Sequence, residues 1–138
     1  MSESISAIRE FAAAILTRFG AEGNFTSALT GGLHFIEAPE EVDNRYATFT
    51  MSEIAWHTFG YNFESMVVTF TIVSESDNAD ELLDLFEKMK QCFDEQKLEM
   101  PHYMTIRFWR VRSGDIQRLD RFYTVDVEYN AELEQKVT

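Results

Sequence analysis

Residues 64–73 read Glu64-Ser65-Met66-Val67-Val68-Thr69-Phe70-Thr71-Ile72-Val73. In an extended chain Met66, Val68, Phe70 and Ile72 fall on one side, and Val67, Thr69, Thr71 and Val73 on the other, because successive strand side chains point to opposite faces. Three further segments carry the same alternation. Residues 46–52 set Ala47, Phe49 and Met51 against Tyr46, Thr48 and Thr50. Residues 103–111 set Met104, Ile106 and Phe108 against Thr105, Arg107 and Trp109, and residues 122–129 set Tyr123, Val125, Val127 and Tyr129 against Phe122, Thr124, Asp126 and Glu128. Such a period of two describes a sheet with core on one side only. Its other side faces water or another protein, which favours an assembling structural protein over an enzyme with a buried pocket.

Working outward, two amphipathic helices flank these strands. Ile5, Ile8, Ala12, Ile15 and Phe19 form one stripe over about Ser4 to Phe19, with Gly20 as a left-handed stop. Leu82, Leu85, Phe86, Met89 and Phe93 form a second, wide stripe with Leu83 and Cys92 at its margins. Asp77 or Asn78 is positioned to accept from the first-turn amides of that helix, and Glu81 completes a capping box with Asn78. Ala21 to Gly32 reads as a loop with Phe25, Ala28 and Leu29 turned inward, and Leu33 to Ile36 as a short extra strand. The Glu37 to Arg45 loop is acidic and exposed, and Glu53 to Tyr61 is a second connection, carrying Trp56 and His57. Ser113 to Gln117 is a hairpin-sized loop, and the charged tail from Asn130 is expected to fray. The expectation is a single α+β domain over residues 1–138 in the order α-β-β-α-β-β. It is a two-layer sandwich in which two helices cover one face of an antiparallel sheet of four strands, or five with the short one.

The chain has 138 residues, enough for one domain with a real core. At 45% hydrophobic and 14% aromatic it lies in the globular range. A net charge of −12 argues against tight binding to a phosphate backbone, which needs clustered Lys and Arg. Acidity does not exclude nearby DNA, since a protein through which DNA slides must also avoid sticking to it. The charge is uneven. Arg107, Arg110, Arg112, Arg118 and Arg121 are offset within residues 103–123 only by Asp115 and Asp120, whereas the upstream chain is acidic, notably at Glu37, Glu40, Glu41 and Asp43. Either this is an ordinary solvated strand pair, or it is a basic edge that docks on a neighbour's acidic face. Opposed patches on one chain suit head-to-tail, ring-forming contacts. The single Cys92 cannot form an intramolecular disulfide and fits a reducing, intracellular origin. The start Met1-Ser2-Glu3-Ser4 does not read as a signal peptide, and no apolar run approaches membrane-spanning length.

Signals for chemistry stay at background. His34, His57 and His102 are scattered, without metal-site spacing. Gly31-Gly32 precedes a strand rather than a helix, the wrong context for a phosphate cradle. Cys92 lies beside Asp94 and Glu95, an unsuitable setting for a nucleophilic thiolate. The aromatics and arginines of residues 103–110 have the composition of a nucleic-acid platform, but half of those aromatics are needed for the core. No catalytic residue, cofactor site or metal site is expected.

The order of segments resembles the tail-completion or tail-terminator-like proteins of long-tailed phages and prophages. The resemblance rests on Ala28-Leu29-Thr30-Gly31-Gly32-Leu33-His34-Phe35, on Glu37-Ala38-Pro39-Glu40, and on Tyr46-Ala47-Thr48-Phe49. It continues through Phe63 to Ile72, the Ser74-Glu75-Ser76-Asp77 cap, the helix from Ala79 to Phe86 and the two closing strands, and covers nearly the whole chain. Many relatives have Pro directly before the strand-starting Tyr where this chain has Arg45, a difference confined to loop rigidity. The resemblance implies a non-enzymatic protein that forms a six-fold ring on the tail tube and joins it to the filled head. Its partners would be copies of itself, tail-tube and head-connector proteins, and DNA passing through without specific binding; no membrane or cofactor is implied. It would act at the virion head–tail junction after assembly in the host cytoplasm. Candidate contact residues, chosen from exposure and charge, are Glu37, Glu40, Glu41 and Asp43, Trp56 and His57, and Arg107, Trp109, Arg110 and Arg112. Competing readings are an α+β domain with an aromatic small-molecule pocket, and an acidic DNA mimic or inhibitor.

Overall fold

The computed structural model describes residues 7–58, 61–76 and 78–136. The strand carrying the alternation of residues 64–73, β3 (Tyr61–Glu75), lies mid-sheet. It pairs antiparallel with β2 (Arg45–Thr58) on one side and with β6 (Phe122–Gln135) on the other. The outer side of β6 pairs with β4 (Tyr103–Ser113) and with the short β5 (Gln117–Leu119). At the opposite edge β1 (Leu33–Phe35) joins β2, giving the order β1-β2-β3-β6-β4. Helices α1 (Ala7–Ala21), α2 (Gly23–Ala28) and α3 (Asp80–Phe93) complete the domain. Ala47, Phe49, Met66, Val68, Phe70, Ile72, Val125, Val127 and Tyr129 are buried on the helix-facing side, so the one-sided core read from β2, β3 and β6 is present.

Several expectations are corrected. Among the described residues the sheet has six strands rather than four or five, and it is not wholly antiparallel, because β1 runs parallel to β2. Ile36 N–H donates to Phe49 O at 2.8 Å and Ala47 N–H to Gly32 O at 3.0 Å, holding β1 in that direction while residues 37–44 return alongside. Among the described residues there are three helices rather than two. Residues 23–28 form α2 instead of an irregular turn, although Phe25 and Leu29 are buried as expected. Helix α1 passes through Gly20 without a left-handed residue. Its end is closed by the Thr26 hydroxyl, which donates to Phe19 O, and by Glu22 N–H to the same carbonyl at 3.2 Å. Ser4 and Ile5 lie outside the described residues.

The C-terminal strand is longer than expected. β6 continues through Gln135 where a fraying tail was expected from Asn130. Ala131 and Leu133 are fully buried, and Lys136 N–H donates to His102 O at 2.8 Å. In α3, Asn78 Oδ1 accepts from Asp80 N–H at 2.9 Å, but there is no capping box. Glu81 instead accepts from Ser74 Oγ at 2.6 Å and pairs with Arg45 at 3.3 Å. Cys92, placed at the stripe's margin, is fully buried.

Aromatic rings link the layers. Phe70 stacks on Phe93 with centroids 4.9 Å apart, and Phe93 meets Phe108 edge-on at 6.1 Å. Each such pair contributes about 0.5–1.5 kcal/mol beyond its buried area. Helix α1 reaches both margins of the sheet. Phe11 meets Phe108 of β4 edge-on at 5.3 Å, and Glu10 accepts from His102 N–H at 2.8 Å, while Ile8 and Leu16 share a groove with Phe35 of β1.

Candidate assembly surfaces

The β4–β5 edge departs most from the simple alternation. Two register shifts leave Ile106 and Val111 without a partner residue on β6, the pattern of a β-bulge. The first shift reverses the phase expected for the start of β4. Tyr103 and Thr105 point to the core, whereas Met104 and Ile106, expected inside, are 43% and 41% exposed. Thr105 Oγ1 accepts from Leu98 N–H at 2.9 Å, which satisfies this buried hydroxyl and anchors the segment before β4. Among the described residues, eight large hydrophobics are exposed; five of them, Met104, Ile106, Val111, Ile116 and Leu119, lie along residues 104–119. They make the edge apolar as well as basic.

The bulges also distribute the arginines. Arg107 and Arg112 stand opposite Glu132 and Glu128 on the helix-free face, with Trp109 between them opposite Asn130. The Arg107 guanidinium lies 4.5 Å from the Trp109 ring centre and pairs with Glu95 at 3.0 Å. Arg110 stands opposite Tyr129 on the helix side and pairs with Asp94, directly after α3, at 3.1 Å. Asp94 also accepts from the Tyr129 hydroxyl. Burial and this hydrogen bond hold the Tyr129 phenol well above its ordinary range. Arg107, Trp109 and Arg112 therefore form one surface group, and Arg110 belongs to a bonded network at the end of α3. Arg112 makes no ion pair among the described residues.

At the other edge, Glu37, Glu40, Glu41 and Asp43 are all exposed in the segment joining β1 to β2. Ile36, just before it, is 62% exposed and holds φ at 76°, a conformation costly for a β-branched residue. Leu16, 38% exposed, lies near this edge beside a groove of about 480 Å³ that Ile8, Ala12 and Phe35 also line. Trp56 and His57 were expected in a loop. Their backbone lies instead within β2, opposite Phe63 and Asn62; their side chains lie outside the described part of the chain.

The helix-free face carries a threonine row on β3, Thr69 and Thr71, beside a carboxylate row on β6, Asp126, Glu128, Glu132 and Glu134. Thr71 Oγ1 donates to Asp126 at 2.7 Å across the strands. His34 Nε2 lies 2.7 Å from Gly31 O, and His102 Nδ1 lies 2.6 Å from Glu10, each tying a turn to its neighbour. Among the described residues no group of three or more His, Cys, Asp or Glu is placed to hold a metal ion, and no helix is long and apolar enough to cross a membrane.

Sequence reasoning picked out the acidic segment and the arginines. It missed the exposed aliphatics at both edges, the bulges, and the Tyr129–Asp94–Arg110 network. Val111 between Arg110 and Arg112 was the available signal, because an apolar residue there breaks any simple two-face reading.

No protein-family model and no curated protein matches this chain. Among solved structures, a chain of the virion of a native gene transfer agent (GTA) particle superposes with a TM-score of 0.83 over 95% of this chain and 99% of that one, at 10% identity. A second solved chain superposes with a TM-score of 0.70 over 97% of this chain and 99% of that one, at 12% identity. At these identities the likeness is one of fold.

Proposed function

We propose that this chain is a non-enzymatic virion structural protein of a phage or prophage. It assembles with copies of itself into a ring, six-fold by the family resemblance, that completes the tail tube and joins it to the head. The observation that carries the reading is the end-to-end match in fold to a chain of a virion particle, at a TM-score of 0.83. The segment order of the sequence supports the finer assignment to tail completion. The architecture suits such work: a sheet with exposed apolar residues at both margins offers contacts rather than a catalytic cleft. The carboxylate row of β6, two of whose members stand opposite Arg107 and Arg112, is suited to a passage for DNA in this acidic chain, which lets DNA move without sticking. Tail-tube and head-connector proteins are the expected partners, with assembly in the host cytoplasm and residence at the head–tail junction.

Deletion of the gene in an inducible lysogen tests this. The expected result is separate filled heads and unjoined tails, restored by the gene supplied in trans, with the protein found in purified particles by mass spectrometry. Normal infectious particles without the protein would refute the reading.

A further inference from the structure

We propose that copies of this chain join head to tail, the outer edge of β4–β5 in one copy docking on the β1 edge of the next. This rests on the reading of the chain as a ring subunit and names the surfaces that close the ring. Three observations carry it.

The first is where the exposed apolar surface lies. Of the eight large exposed hydrophobics among the described residues, five are on residues 104–119, and Leu16 and Ile36 mark the β1 margin. These margins are opposite ends of one strand order, β1-β2-β3-β6-β4. Solvent exposure of aliphatic side chains concentrated at two edges marks contact sites.

The second is shape. Beyond Thr105 the outer side of β4 has no strand partner among the described residues, and its unpartnered Ile106 and Val111 are both more than 40% exposed. The β1 margin offers the complement, a groove of about 480 Å³ lined by Ile8, Arg9, Ala12, Ala13, Leu16 and Phe35. Ile36 stands at the end of β1 with φ at 76° and its side chain in solvent. A strained backbone that turns a β-branched apolar side chain outward is a conformation kept for contact.

The third is charge, and it selects the second copy's β1 edge as the occupant. Arg107, Arg112 and Arg118 are exposed on the β4–β5 side, and Glu37, Glu40, Glu41 and Asp43 are exposed beside β1. Pairing β4–β5 with its own copy would oppose arginines to arginines, and pairing β1 with β1 would oppose carboxylates. The heterologous arrangement sets the arginine-rich edge against the carboxylate-rich one, and a repeated heterologous contact closes into a ring when its rotation allows.

Cysteine crosslinking tests the arrangement, because the native Cys92 is fully buried. One set of variants carries Ile106→Cys, Val111→Cys, Ile116→Cys or Leu119→Cys, and a second set carries Ile36→Cys or Leu16→Cys. Members of the two sets, tagged differently, are mixed under mild oxidation across a protein concentration series. The expected product is a crosslink between the sets that forms faster than within either set. A dominant crosslink within the β4–β5 set, or no crosslink between the sets for any pair, overturns the proposal. Light scattering separates this outcome from failure of the ring itself. Ile106→Glu with Val111→Glu is expected to weaken self-association about 30-fold or more, as loss of an interface hot spot does, with an unchanged circular dichroism spectrum. If wild type forms a ring-sized species and this variant forms the same one, the edge pairing is wrong and the ring reading stands. If wild type stays monomeric throughout and nothing crosslinks, both are overturned.

Discussion

Truncation of Leu133 asks whether the last residues of the chain are structure or tail. Leu133 is fully buried on β6, opposite Glu64 of β3 and Thr105 of β4, so its side chain belongs to the core under the helices. Leu133→Ala removes three carbons from a site walled by strands on both sides, which limits how far neighbours can collapse into the space. Buried Leu→Ala changes of this kind cost about 2–5 kcal/mol. With an unfolding entropy of about 2.1 cal/mol/K per residue, a chain of this length loses about 3–4 °C of melting temperature per kcal/mol. The expected fall is therefore about 7–17 °C. Leu83→Ala is the control, because Leu83 is 40% exposed on α3; it should stay within about 0.5 kcal/mol of wild type. Urea unfolding followed by circular dichroism and by tryptophan fluorescence gives both values. A Leu133→Ala variant within 0.5 kcal/mol of wild type would mean that β6 ends near Asn130 and that the tail frays.

Two further outcomes follow from particular residues. A Cβ added at Gly31 would lie 2.7 Å from Arg45 O and 2.8 Å from Asp43 O, both backbone atoms, so Gly31→Ala should destabilise by about 1–3 kcal/mol. Gly20→Ala meets nothing and lies inside α1, and should stabilise by about 0.5–1 kcal/mol; thermal melts of the pair decide both signs. Burial pushes the Cys92 thiol from its ordinary value of 9.0 up to about 12. Below pH 9 the thiol is protonated in both states, so its contribution to stability is fully present there. Above pH 9 the unfolded thiol ionises and the native one does not, so stability falls by up to about 1.4 kcal/mol per pH unit until the native thiol also ionises. Tyr129, held above its ordinary 10.0, adds to the loss at higher pH. Urea titrations at pH 8, 9.5 and 10.5 should show this slope, reduced in Cys92→Ala. A native thiol that reacts rapidly with a disulfide reagent at pH 8 would contradict the burial.

Strand content was most legible where alternation and burial agree. Met66, Val68, Phe70 and Ile72 face the core as their spacing predicts, because β3 has a partner strand on each side and no freedom to slip. The end of β6 was misread as a fraying tail, although Asn130-Ala131-Glu132-Leu133-Glu134 keeps the same period. Its glutamates suggested solvent, and they do face outward, but from a strand rather than a tail. The first bulge of β4, at Ile106, was not legible. A bulge depends on how an edge strand fits its neighbour, and the local sequence at Ile106 continues an unbroken alternation. The parallel direction of β1 is likewise set by tertiary bonds to Phe49 and Gly32, which three residues of sequence cannot encode. For the candidate surfaces, charge located the acidic segment and the arginines, while the phase shift after Val111 decided which arginines share a face.

The reach of α1 has a mechanical consequence. Sheets resist shear along their strands far better than tension across them, because tension across strands opens hydrogen bonds one after another. In the ring proposed above, subunits joined margin to margin would carry outward load in that weak direction. Helix α1 contacts β1 through its groove with Phe35 and is tied to the β4 side through Phe11–Phe108 and Glu10–His102. In such a ring, α1 would add a second connection from one margin to the other beside the β-ladders.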